Sequence, residues 1–79
     1  MNKLMDAGYA DAIKYNKEMS AFDMHEKEDD YVVGYILGRA NVEAADAGYE
    51  KAHEDAIDRL CKKYCFNKEK VMQHVDYGE

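Results

Sequence analysis

The pattern that most constrains this chain is a seam in its middle. Tyr31, Tyr35, Gly38, Val42, Ala45, Tyr49, Ala52 and Ala56 follow one another at intervals of 4, 3, 4, 3, 4, 3 and 4. A 4-3 alternation holds side chains on one face of an α-helix, the spacing of a heptad repeat. The seam predicts one helix over about residues 30–64, running through Gly48, because an isolated glycine in a helix interior costs only ~1 kcal/mol. Unbroken, that helix spans roughly 50 Å at ~1.5 Å per residue. Gly38, Ala45 and Ala52 are small and seven residues apart, with Tyr35, Val42 and Tyr49 between them. Small residues let two helix axes approach closely. The face from Tyr35 through Ala56 is therefore a packing seam. Its expected partner is the chain's own first helix, with self-association into a homodimer as the alternative.

A second stripe precedes it. Met5, Gly8, Ala12, Tyr15, Met19 and Phe22 are spaced 3-4-3-4-3, with Tyr9 and Ile13 widening the face. This predicts a first helix from about residue 2 to residue 19 or 22. Residues 23–30 hold five acids and one lysine and read as a connection, whose last aspartates cap the next helix and suit its dipole. After Tyr64-Cys65-Phe66, Asn67 is a good N-cap. It predicts a short third helix over 68–77, with Val71, Met72 and Val75 inward and Gly78 ending it. Asp6-Ala7-Gly8-Tyr9 recurs as Asp46-Ala47-Gly48-Tyr49, which reads as a shared packing solution because the flanks diverge at once. The chain has no proline and is rich in good helix formers, so the class is all-α. The architecture expected is a single-domain bundle of about three helices around one long central helix.

At 79 residues, with no tryptophan and two phenylalanines, such a domain has a thin supply of large apolar side chains. Chains this short often gain stability from a partner, a metal or oligomerisation. A net charge of −6 argues against direct binding to nucleic acid or to an anionic membrane. No run approaches the ~18 apolar residues of a membrane span. Asp6 and Asp11 interrupt any apolar leader, so a cytoplasmic location with reduced cysteines is expected.

The residues that carry chemistry are sparse. Cys61 and Cys65 share a helix face, but His53 lies two turns from Cys61, and neither a second Cys pair nor a spaced His pair completes a zinc pattern. Ser20 is the only serine and threonine is absent. A cysteine nucleophile would need a base and a pocket. No Gly-Lys-Ser follows Gly34 or Gly38, and residues 23–30 lack the ligand spacing and central glycine of an EF-hand. The junction at 60–67 resembles a helix-turn-helix, yet the last helix offers only Gln73 and His74 for reading bases, under the wrong overall charge. No catalytic, cofactor or metal site is expected, and no enzyme.

The most informative polar feature is an acidic row. Glu43, Asp46, Glu50, Glu54 and Asp58 lie three or four apart, opposite the seam on a continuous helix. Over residues 43–58 six acids meet one lysine. Like charges at this spacing cost a few tenths of a kcal/mol per pair. Glu28, Asp29 and Asp30 are expected to extend the row. The bland explanation is a solvated face. The functional one is a surface that meets a basic groove on another protein, as a nucleic-acid mimic does. Size, acidity and absence of catalytic groupings fit the general type of small inhibitor carried by phages and mobile elements.

Overall fold

In the computed structural model, which describes residues 2–15, 17–45 and 48–75, the chain is all-α, and no strand occurs among these residues. Five helices follow in order: α1 Lys3–Lys14, α2 Ala21–Met24, α3 Asp29–Ala44, α4 Tyr49–Tyr64 and α5 Lys68–Met72. The bundle expected from the stripes is present, with α3 at its centre, packed against both α1 and α4.

The central helix is shorter than the seam implies. α3 ends at Ala44 and α4 begins at Tyr49, with Gly48 in the left-handed region at φ 61°. The chain turns back there: the Tyr35 ring meets the Tyr64 ring edge-on at 6.3 Å, and Arg59 of α4 reaches Glu43 of α3. Burial explains why the 50 Å rod does not form. Ile36, Ile57, Leu60 and Val71 are the largest fully buried side chains, drawn from α3, α4 and α5. Each is worth about 1.5–3 kcal/mol when withdrawn from water. On an extended helix Ile57 and Leu60 have no core to enter. The heptad spacing is real, but its two halves pack separately.

The first half of the seam is consumed by α1. A Cβ on Gly34 would fall inside the Met5 backbone, one on Gly8 inside the Tyr31 carbonyl, and one on Gly38 within 2.9 Å of the Tyr9 carbonyl oxygen. Here two helix backbones touch, which only glycine permits. Asn2 of the α1 cap donates to Asp30 at 2.8 Å, and Arg39 donates to the Ala12 carbonyl at 3.3 Å, so α1 and α3 run in the same general direction.

A parallel pair requires a return connection, and this overrides the second half of the first stripe. α1 stops at Lys14, not at Met19 or Phe22, and Tyr15 is already extended. Met19 is instead gripped by two tyrosines: its N–H donates to the Tyr35 hydroxyl at 2.7 Å, and the Tyr64 hydroxyl donates to its carbonyl at 2.6 Å. Ser20 then caps α2, its hydroxyl accepting from the Asp23 N–H at 3.1 Å. The acidic connection is accordingly shorter than residues 23–30. α3 starts at Asp29 behind Glu28, which makes no side-chain cap bond, and Asp29 and Asp30 occupy the first turn. Asn67 caps α5 as expected, accepting from the Glu69 N–H at 2.9 Å. That helix ends at Met72, with Val71 buried and Met72 and Val75 packed on the core. The expected end at Gly78 lies outside the described residues.

Candidate functional site

The reversal between α3 and α4 rearranges the acidic row. Glu43 belongs to α3, while Glu50, Glu54 and Asp58 belong to α4. Asp46 lies outside the described residues. At ~100° per residue, Glu50, Glu54 and Asp58 share one flank of α4, while Ala52, Asp55, Ala56 and Arg59 share the other. Glu43 faces this second flank, where it accepts from Arg59 at 2.5 Å. The five-residue row is therefore not a row in the folded chain.

Ion pairing thins it further. Asp58 pairs with Lys62 at 3.2 Å and Lys68 at 3.8 Å, and Asp29 with Lys70 at 3.1 Å. Asp30 accepts from Asn2. Among the described residues, Glu28, Glu50 and Glu54 hold no ion pair. The two acidic clusters also do not merge. Glu28 stands at the start of α3 and Glu50 beside its far end, roughly 20 Å away along a helix of this length.

One partly buried network organises the other charges. Glu18, from the connection after α1, accepts from Arg59 at 3.0 Å and from Lys63 at 2.5 Å. Burial pushes the Glu18 carboxyl up, but the two cations outweigh it and hold it below the usual carboxylate range. Its hydrogen bond with Glu18 leads the effects that raise the Arg59 guanidinium pKa further. Together with the two Met19 bonds, this network straps the connection onto the α3–α4 hairpin.

The packing seam divides as well. Tyr35 and Gly38 are buried under α1 and the strap, and Ala56 is buried on α4. Val42, Ala45 and Tyr49 remain exposed at the α3–α4 turn, with Ala52 partly so. Val42 is 41% and Tyr49 48% accessible. Tyr49 stacks on His53 at 5.0 Å and donates to the Asn41 side-chain oxygen at 2.6 Å, which fixes its ring. Beside it, Glu43, Ala52, Asp55, Ala56 and Arg59 line an open cleft of about 270 Å³. This end of the hairpin gathers exposed apolar groups, acids and concavity.

Two features escaped sequence reasoning. Phe22, placed on the inward stripe, is 78% exposed on α2. Its signal was Ser20, which with Asp23 three residues on is a cap and not a helix interior. Arg39 closes the end of α1 through the Ala12 and Tyr15 carbonyls, while its Nε is buried without a hydrogen-bond partner.

Cys61 is buried and Cys65 exposed, both as free thiols. Burial leads the effects that push the Cys61 thiol up, with the Asp58 charge adding to it. His53 is buried on the inward face of α4, and burial lowers its imidazole. No group of three or more metal-ligating side chains converges among the described residues. No helix among them is long and apolar enough to cross a membrane. No protein-family model matches the chain, and neither does a curated protein or a solved structure.

Proposed function

We propose that this protein is a small acidic modulator that binds another protein, occupying a basic, nucleic-acid-binding surface of that partner. The observation that carries the reading is the composition of the α3–α4 end. Val42 and Tyr49 are exposed there, and Glu50 and Glu54, in the first half of α4, hold no ion pair among the described residues. An aromatic anchor within a charged rim is the common anatomy of a protein interface. The net charge of −6 favours a basic counterpart and repels nucleic acid itself. In this reading the protein acts by binding alone, without catalysis or cofactor, in the manner of a phage or mobile-element inhibitor. It works in the cytoplasm, where Cys61 and Cys65 stay reduced.

The test starts with capture of the partner by cross-linking to the full chain in its native host. Binding is then measured with purified components over a salt series, with duplex DNA as competitor. Glu50→Lys with Glu54→Lys should weaken binding at least tenfold, and wild-type affinity should fall steeply as salt screens the contacts. Affinity indifferent to both charge reversal and salt would defeat the proposal.

A second reading follows from the exposed part of the seam. Val42, Ala45 and Tyr49 together offer an apolar face to a second copy, giving a homodimeric assembly protein. Light scattering at micromolar concentration separates the two. A dimer lost on Val42→Glu assigns this face to self-association, and a monomer leaves it to the heterologous partner. Gly38 is unsuitable for that test, because it packs on Tyr9 and Ala12 inside the monomer.

A further inference from the structure

Building on the proposed basic partner, we infer that the cleft between α3 and α4 is a receptor for one lysine side chain of that partner. The cleft is open to solvent and measures about 270 Å³, below the ~300 Å³ at which small-molecule pockets begin. Its lining has two parts. Ala52 and Ala56, one helical turn apart, offer methyl groups to an aliphatic stem. Glu43, Asp55 and Arg59 provide the charged part.

The charges there are unevenly satisfied. Arg59 is matched by two carboxylates, Glu18 at 3.0 Å and Glu43 at 2.5 Å. Lys63 also bonds Glu18. Among the described residues, Asp55 has only Lys51 at 4.0 Å, an exposed pair whose lysine side chain is 90% accessible. Such pairs contribute little and exchange freely with water. Among the described residues, the second oxygen of Glu43 accepts no hydrogen bond. The open acceptors therefore belong to Glu43 and Asp55, on a cleft that already contains a neutralised guanidinium. A further cation is favoured and an anion is not. An ammonium suits single oxygens from separate carboxylates, whereas a guanidinium favours a bidentate carboxylate, and Glu43 has one oxygen already engaged.

The experiment titrates the full-length, ¹⁵N-labelled protein with N-acetyl-lysine methylamide. The norleucine analogue, which keeps the stem and lacks the ammonium, is the control. Saturable amide shifts at Ala52, Asp55, Ala56 and Arg59 with the lysine probe, and none with norleucine, are the expected result. Ala52→Leu should fill the cleft and abolish these shifts. Asp55→Asn, at an exposed position that leaves the fold intact, should weaken the lysine response about fivefold. Shifts that never saturate and spread over Glu26, Glu28 and Glu50 would overturn the inference, as would equal binding of norleucine. Partner binding that is lost on Glu50→Lys with Glu54→Lys but kept on Ala52→Leu would overturn the cleft alone and leave the basic-partner reading standing. Loss of neither would remove both.

Discussion

Replacing Gly34 by alanine tests the tightest of the three glycine approaches between α1 and α3. Gly34 lies mid-way along α3, where alanine is the better helix former by ~1 kcal/mol. On propensity alone Gly34→Ala stabilises. The structure demands the reverse. The added Cβ would stand 2.7 Å from both the Cα and the carbonyl carbon of Met5, and closer still to its oxygen. These are backbone atoms, so no rotamer change relieves the overlap, and α1 as a whole must move away from α3. Forcing an extra methyl into a packed site costs typically ~1–3 kcal/mol. The displacement also loosens the neighbouring Gly8–Tyr31 and Gly38–Tyr9 approaches and the burial of Met5 and Ala12. Overlap with backbone atoms belongs at the upper end of that range, so after subtracting the propensity gain the expected net loss is about 2 kcal/mol, or a fall in Tm of ~10 °C for a domain of this size. That is a large fraction of the ~4–12 kcal/mol expected for 79 residues. Thermal unfolding followed by circular dichroism reads it directly. Gly48→Ala is the control. Nothing lies within 4 Å of a Cβ there, and the positive φ of 61° alone should cost about 1 kcal/mol. If Gly34→Ala melts at or above the wild-type temperature, the backbones of α1 and α3 are not in contact and the parallel packing described above is wrong.

Further tests probe the ends and charges of the helices. Cys65 sits at φ 54° in a Schellman turn, where Phe66 donates to the Cys61 carbonyl at 2.9 Å. Cys65→Gly should therefore raise stability by about 1 kcal/mol in urea unfolding. Burial depresses His53, so its contribution is complete above the unfolded value of ~6.5 and is lost as pH falls through the lower folded value. Thermal midpoints should decline as pH drops from ~6.5 towards that folded value, and His53→Phe should remove this decline. Glu18, also depressed, contributes fully above the unfolded value of ~4.3 and loses its contribution as pH falls through its folded value. Glu18→Gln should destabilise at neutral pH and flatten the acid limb of the same curve.

The helical class and the central place of α3 were legible because apolar spacing reports which faces are buried. Asn67 was legible for a local reason: its side chain satisfies an orphan N–H of α5 without help from elsewhere. The two main errors share one cause. Periodicity states that a face is buried but not against what. Tyr49 and Ala52 continue the spacing of Tyr35 and Gly38, yet a left-handed Gly48 reverses the chain between them. Met19 continues the spacing of Met5 and Ala12, yet it is held by Tyr35 and Tyr64 through its backbone, which no side-chain pattern encodes. The acidic row inherited the error, since its alignment presupposed a helix through residues 43–58. Glu43, drawn into the row by spacing, faces Arg59 on the opposite flank from Glu50.

The distribution of charge on α4 connects these packing facts to the surface proposed for binding. The helix carries Glu50, Glu54 and Asp55 in its first half and Arg59, Lys62 and Lys63 in its second. That order suits the helix dipole and accounts for part of the segregation. The dipole does not decide what the basic half then does. Arg59 and Lys63 are directed to Glu18 by the strap, and Lys62 is directed to Asp58. The strap exists because the parallel arrangement of α1 and α3 requires the chain to return across Tyr35 and Tyr64. The cations in the second half of α4 are thus engaged by Glu18, Glu43 and Asp58, whereas Glu50 and Glu54 in its first half hold no ion pair among the described residues. On this reasoning the acidic surface is a consequence of where the chain crosses back. A variant that frees Arg59 and Lys63, such as Glu18→Gln, should weaken binding to a basic partner even though Glu18 lies outside the proposed contact surface.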